Sequence, residues 1–170
     1  MSRCVIISAC PVSASLASAL RPGDTIIACD AGYRNCAPLH CRPDIIVGDF
    51  DTAPCPAQEG DDTIILPHVK DDTDTEYAAK LASEKGFDEA LFLGALGGRR
   101  LEHTLANLCT GLGLQQRGVR ATLLDERSRI TFVMPGETRR YPKGEYFYLS
   151  VFPMEGRAEG VSELSLIHIS

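Results

Sequence analysis

The sequence lacks the clustered excess of lysine and arginine that a nucleic-acid footprint needs: its formal net charge is −6 and its pI lies near 5.2. No apolar run approaches the roughly 20 residues of a membrane span. Tryptophan is absent and aromatics stop at 6%. The seven cysteines (Cys4, Cys10, Cys29, Cys36, Cys41, Cys55 and Cys109) include no C-x-x-C pair, and their gaps match no zinc framework. A disulfide scaffold is not expected of a chain able to build its own core, so they read as small buried thiols in a reducing cytoplasm. Ile7-Ser8-Ala9-Cys10 looks like a lipoprotein cleavage box. The apolar stretch before it falls short of the about 7–15 residues of a signal peptide, which rejects that reading. Neither G-x-x-x-x-G-K-[ST] nor G-x-G-x-x-G is present, and no Cys/His or G-x-S-x-G arrangement points to covalent catalysis.

What is there is a chain of 170 residues, 44% apolar and 24% charged. That excludes disorder and fibre and leaves room for one domain with part of another. Short apolar runs alternate with helical patterns. Strands are expected at Arg3–Ser8, Thr25–Cys29, Ile45–Val47, Thr63–Leu66, Ala90–Leu93 and Val119–Leu124, and helices over Asp74–Lys85 and Leu101–Gln116, stopped by Gly86 and Gly118. This alternation predicts α/β: a mostly parallel, Rossmann-like sheet flanked by helices, occupying residues 1–125. From residue 126 the texture becomes β-rich, with Ile130–Met134, Glu137–Tyr141 and Tyr146–Phe152 separated by Pro/Gly turns. An all-β unit over 126–163 is expected there, too short for a complete sandwich.

Polar chemistry gathers after the apolar runs, where open α/β sheets place ligands. Asp30 follows the second strand, Gly48-Asp49-Phe50-Asp51-Thr52 the third, and Lys70-Asp71-Asp72-Thr73-Asp74-Thr75-Glu76 the fourth. Asp49 and Asp51, two apart on an extended backbone, point to one side and repel unless a cation lies between them, which suits Mg²⁺ with phosphate oxygens. Thr73 and Glu76 form a capping box and Asp74 suits the helix dipole, so part of that cluster is structural. Asp71, Asp72 and a phosphate-reaching Lys70 are not explained by capping. Gly97-Gly98-Arg99-Arg100 before a helix reads as a phosphate cradle, with His103 and Asn107 on one helical face and Leu101, Leu105, Leu108 and Leu112 on an opposite, buried one. The residues thus describe a Mg²⁺-dependent enzyme acting on a polyphosphate without a P-loop.

Four blocks then resemble the signatures of the thiamine pyrophosphokinase family, in order. Cys29-Asp30-Ala31-Gly32 resembles A-D-G-G, and Pro43 through Thr52 resembles P-D-x-I-x-G-D-x-D-S. Lys70 through Glu76 resembles K-D-x-T-D-x-E, and Gly94 through Asn107 resembles G-x-x-G-G-R-x-D-H-x-x-x-N. The resemblance implies transfer of a pyrophosphoryl group from ATP to the hydroxyl of thiamine, giving thiamine diphosphate and AMP, with Mg²⁺ as cofactor. It implies that Asp49, Asp51 and Asp74 hold the metal and phosphates, with Asp71 and Thr73 in the same block. Asp71 or Asp74 would be placed to accept the thiamine hydroxyl proton. Asp30, Lys70, Gly97, Gly98, Arg99 or Arg100, His103 and Asn107 would line the ATP side. A homodimer of the full-length protein is implied, with thiamine at the subunit interface, and neither a nucleic acid nor a membrane as partner.

Three departures stand out: Ala31 replaces a glycine, Glu102 replaces the Asp before His103, and one residue is extra in the glycine-arginine block. Counting from the glycines makes Arg99 the phosphate ligand; counting back from His103, along the stiffer helix register, makes it Arg100. Family members are longer, and Phe152-Pro153-Met154 to Gly160-Val161-Ser162 resembles the opening of their C-terminal β-sandwich. Residues 164–170, Leu-Ser-Leu-Ile-His-Ile-Ser, read as translated sequencing adapter. The competing readings are a haloacid-dehalogenase-like phosphatase, a D-x-D nucleotide-sugar transferase and an inactive nucleotide-binding fragment. In the first, Ala53 stands where Thr or Val is required; in the second, the Lys70–Glu76 and Gly-Gly-Arg blocks have no counterpart.

Overall fold

A computed structural model describes residues 1–49, 62–65, 72–142, 147–154 and 156–162. In chain order the strands are β1 (Arg3–Ile7), β2 (Thr25–Cys29), β3 (Ile45–Gly48), β4 (Asp62–Ile65), β5 (Glu89–Leu93), β6 (Arg120–Leu124) and β7 (Arg129–Thr131). Helix α1 (Asp74–Glu84) lies between β4 and β5, α2 (Leu101–Gln116) between β5 and β6, and 3₁₀ segments cover Ala14–Ala19 and Asp30–Cys36. The sheet order is β4-β3-β2-β1-β5-β6-β7, parallel except for the antiparallel pair β6–β7. The mixed α/β sheet flanked by helices is the architecture expected from the alternation of runs and helical patterns.

The strands are near-continuously apolar because both faces are covered. Alternate residues divide between two cores: Cys4, Ile6, Ile27, Cys29, Ala90 and Phe92 lie on the α1/α2 side. Val5, Ile7, Ile26, Ala28, Leu91 and Leu93 lie on the other, with Leu16, Cys36 and Leu39 from the 3₁₀ stretches and the turn beyond. Helix α1 starts at Thr73, whose hydroxyl accepts from the Glu76 amide at 3.1 Å. It buries Thr75, Ala78, Ala79 and Ala82, small side chains that let it lie close on the sheet.

Helix α2 has the expected bounds but a different face. Its buried residues are Asn107, Thr110, Gly111, Leu114 and Gln115. Leu101 and Leu105, expected inside, are 70% and 53% exposed. Gly111 explains the rotation. A Cβ there would lie 2.8 Å from both Leu123 Cδ1 and Phe132 Cε2, so the helix approaches β6 and the chain after β7 through its smallest residue. Leu108 and Leu112 pack at the edge of the same core.

The boundary expected between residues 125 and 126 moves. Arg129–Thr131 pairs with β6 and closes the sheet edge instead of opening a second unit. One compact unit runs Met1–Glu137 and the other Thr138–Ser170. The expected β-sandwich is not shown: the described residues of 138–162 carry no strand. Phe147, Tyr148 and Phe152 are 101%, 91% and 76% exposed. Strands of that length without a second layer to bury their apolar face are not stable by themselves. Residues 163–170, including the adapter-like tail, lie outside the described residues.

Candidate active site

The sheet order places a topological switch between β1 and β5. The chain leaves β1 toward β2, β3 and β4, then returns through α1 to β5 and continues the other way. Ligands of open α/β sheets bind outside the carboxyl ends of strands at such a point. Here the two diverging segments stay joined beyond the strands: the Ser8 amide donates to Leu93 O at 2.8 Å and the Cys10 amide to Gly94 O at 3.0 Å. Asn35, buried in the 3₁₀ segment after β2, donates through Nδ2 to both Ser8 O and Cys10 O at 2.8 Å. A Cβ on Gly94, whose φ is +64°, would fall 2.5 Å from Ser8 O, 2.6 Å from Cys10 O and 3.0 Å from Asn35 Nδ2.

One side of this crevice is acidic. Asp30 follows β2 in the left-handed region at φ +44°, a conformation that short polar side chains tolerate. Its Oδ1 is buried and has no hydrogen-bond partner. The end of β3 presses on it, since a Cβ on Gly48 would lie 3.1 Å from Asp30 Cα, and Asp49 follows directly. The start of α1 arrives at the same place. Ser8 Oγ and Thr75 Oγ1 share a buried hydrogen bond at 2.9 Å. The Cys29 thiol is pushed well above its ordinary value by burial and by the negative charge of Asp74, an effect that a Thr75 hydrogen bond opposes and Asp30 reinforces. Asp30 and Asp74 therefore surround one buried thiol. The exposed Thr73 is used as helix cap, while Asp72 pairs with Lys80 at 2.6 Å and Glu76 lies 3.8 Å from Arg117.

The other side is basic. Gly97 and Gly98 take φ of +78° and +82°. Arg100 is the N-cap of α2 and offers no side-chain acceptor to the helix amides, so those donors stay turned outward. Arg100 Nε donates to Glu102 at 2.7 Å, both groups being exposed, and that bond holds the Glu102 carboxyl below the usual range. Arg99 and His103 are exposed. Asn107 is buried and donates Nδ2 to Ala95 O at 2.8 Å, so it shapes the loop from within. Thr104 Oγ1 reaches Gly97 O at 3.1 Å and Cys10 Sγ reaches it at 3.5 Å.

Of the residues expected from sequence, the structure brings Asp30, Asp49 and Asp74 to the acidic side and Gly97, Gly98, Arg99, Arg100 and Asn107 to the basic one. Asp51, Lys70 and Asp71 fall outside the described residues. Among the described residues no group of three His, Cys, Asp or Glu side chains is gathered closely enough to hold a metal. The orphaned Asp30 oxygen is a hard oxygen donor of the kind Mg²⁺ takes. Ala31 is harmless: the tight position is Gly32, where a Cβ would lie 2.2 Å from Ile7 O. Ser8, Cys10, Asn35, Thr75 and Thr104 were not among the site residues expected from sequence. Ser8 and Cys10 had a signal, since they follow the first strand directly; Asn35 had none.

Residues 16–123 match the family described as thiamin pyrophosphokinase, catalytic domain. The fold is similar to that of thiamine pyrophosphokinase from Bacillus subtilis, at 21% identity and a TM-score of 0.64, over 75% of this chain and 63% of that one. It is similar to thiamin pyrophosphokinase from Geobacillus thermodenitrificans at 25% identity and a TM-score of 0.61, over 72% and 59%. A protein from Lactobacillus plantarum is 27% identical with a TM-score of 0.63, over 80% and 66%. No curated protein matches the chain. The chain thus covers less than two thirds of the first two structures. Among the described residues no helix is long and apolar enough to cross a membrane.

Proposed function

The chain belongs to the thiamin pyrophosphokinase catalytic-domain family, and from that premise we propose that it supplies the ATP-binding half of an enzyme moving a pyrophosphoryl group from ATP to the hydroxyl of thiamine. The observation that carries the reading is the pair of oppositely charged sides flanking one switch-point crevice. Asp30, with a buried, partnerless carboxylate oxygen, marks the first. The left-handed glycines and uncapped start of α2 beside Arg99 and Arg100 mark the second.

In this reading the backbone of Gly97 and Gly98, the first amides of α2 and an arginine bind the phosphate oxygens, because helix N-termini and guanidinium groups favour anions. Arg100 is the preferred arginine by helix register. Asp49, Asp51 and Asp74 would hold Mg²⁺, with Asp30 nearby; when bound, the ion offsets charge on the phosphoryl oxygens. The thiamine hydroxyl oxygen attacks the β-phosphorus, the bond from that phosphorus to the α–β bridging oxygen breaks, and AMP leaves with the oxygen. The hydroxyl proton passes to Asp71 or Asp74. Positioning supplies most of the rate, since there is little covalent work for side chains to do. Lys70, Thr73 and His103 complete the ATP side. We place the enzyme in the cytoplasm, with the full-length protein a homodimer.

The test is AMP release from ATP by this chain. Release that requires both thiamine and Mg²⁺ supports the reading. Inorganic phosphate released without thiamine overturns it in favour of a phosphatase. ATP binding without turnover restricts the function of this chain to nucleotide binding.

A further inference from the structure

Asn35 is buried and charge-free, yet it holds the segment after β1 where that segment is bonded to the end of β5 at the switch point. Its two N–H groups are the only part of the amide that can face two carbonyl oxygens, and both are used, on Ser8 O and Cys10 O at 2.8 Å. Cys10 in turn donates its amide to Gly94 O and its thiol to Gly97 O. Asn35 lies in the same 3₁₀ segment that begins with Asp30. A continuous set of hydrogen bonds therefore runs from the acidic side, through Asn35 and Cys10, to the glycine loop of the basic side. Thr104 holds that loop from α2 through Gly97 O.

We infer that Asn35 is the positioning residue that fixes the separation between the carboxylate side and the glycine-arginine loop, and so sets the fit of the crevice to a polyphosphate. This rests on the proposed function only for its ligand, ATP with Mg²⁺; the geometric part stands alone. Without the amide, Ser8 O and Cys10 O lose their shared donor, and the Cys10–Gly94–Gly97 stretch is free to shift relative to Asp30. A shift of about 1 Å in such a site costs on the order of a hundredfold in rate, and the phosphate contacts made by the same loop weaken with it.

The test compares the wild-type full chain with Asn35→Ala and, should that variant fold poorly, with Thr104→Val, which releases the same loop from its other side. Amide exchange at Cys10 is read first without ligand. Exchange at least about tenfold faster in Asn35→Ala, with the centre of α1 unchanged, is expected; unchanged exchange overturns the inference whether or not the chain is an enzyme. Affinity for ATP with Mg²⁺ is read second, or the KM for ATP where turnover exists. Weakening of about ten- to a hundredfold with the KM for thiamine held within about twofold supports positioning. A loss that appears only as a smaller active fraction, with both KM values unmoved, reduces Asn35 to a structural residue. Absence of AMP release in the wild type would sink the proposed activity and leave the exchange result standing.

Discussion

Three glycines separate the two reasons for which this fold needs glycine. Gly94 has φ +64° and, in addition, no room: an alanine methyl would sit 2.5 Å from Ser8 O and 2.6 Å from Cys10 O. A carbon–oxygen approach of about 3.3 Å is already close, so the backbone of the switch point would have to move. The left-handed conformation costs about 1–2 kcal/mol and forced overpacking about 1–3 kcal/mol, giving roughly 2–5 kcal/mol for Gly94→Ala. Gly118 has φ +87° but nothing within 4 Å, so Gly118→Ala should cost only the first part, about 1–2 kcal/mol. Gly113, inside α2 with nothing within 4 Å, suffers neither penalty; Gly113→Ala should stabilise by about 0.5–1 kcal/mol. For a chain of this size each kcal/mol moves the melting temperature by about 2–4 °C. Thermal unfolding monitored by circular dichroism should therefore place Gly94→Ala lowest, Gly118→Ala between it and wild type, and Gly113→Ala above wild type. Only Gly94→Ala should also weaken binding of ATP. If Gly94→Ala and Gly118→Ala melt together, the close approach of the two diverging segments is refuted.

Asp30→Asn should leave the melting temperature unchanged or higher, because it removes a buried carboxylate oxygen without a partner and Asn also tolerates positive φ. It should weaken binding of ATP with Mg²⁺ by about tenfold or more, and unaltered affinity in calorimetry would exclude Asp30 from the site. Burial pushes the Asp24 carboxyl up, but its hydrogen bonds and charge contacts with Arg3 and Arg21 prevail and hold it below its ordinary value. The Arg3–Asp24 pair, with contacts of 2.6 and 2.8 Å, thus adds stability that is present above the ordinary carboxylate pKa of about 4 and lost as pH falls through the lowered folded value. Urea titrations should show Asp24→Asn less stable than wild type at neutral pH, with the gap closing in acid; a gap independent of pH would contradict the assignment. On α2, Leu114→Ala should cost about 2–5 kcal/mol and Leu105→Gln less than about 0.5 kcal/mol, with the reverse order in urea unfolding restoring the leucine face as the buried one.

The strands and helices were legible because their signals are local. The runs Thr25–Cys29 and Ala90–Leu93 are apolar over a strand's length, and Thr73 with Gly86 bracket α1 through capping and a left-handed stop. The face of α2 was not legible. A count of leucines favoured Leu101 and Leu105, whereas the packing is decided by how closely Gly111 lets the helix approach Leu123 and Phe132. Ile130–Met134 looks like a hairpin strand whichever sheet it joins, and only the free edge of β6 makes Arg129–Thr131 part of the main one. Among the described residues from Glu137 onward no strand forms, for the converse reason: β propensity does not supply a face to pack on.

The candidate site divides the same way. Asp30, Asp49, Asp74, Gly97, Gly98 and the arginines could be chosen from the chain because carboxylates, glycines and cations after apolar runs carry their chemistry in their type. That chemistry, and the family whose blocks it resembles, is what the sequence determined by itself. That Asn107 meets Ala95, that Thr73 caps α1, and that Asn35 and Cys10 stand where β1 and β5 diverge, was decided only by tertiary structure. Hydrogen-bond donors and acceptors look alike along a chain; which carbonyl each one meets depends on strands brought together from residues far apart in sequence.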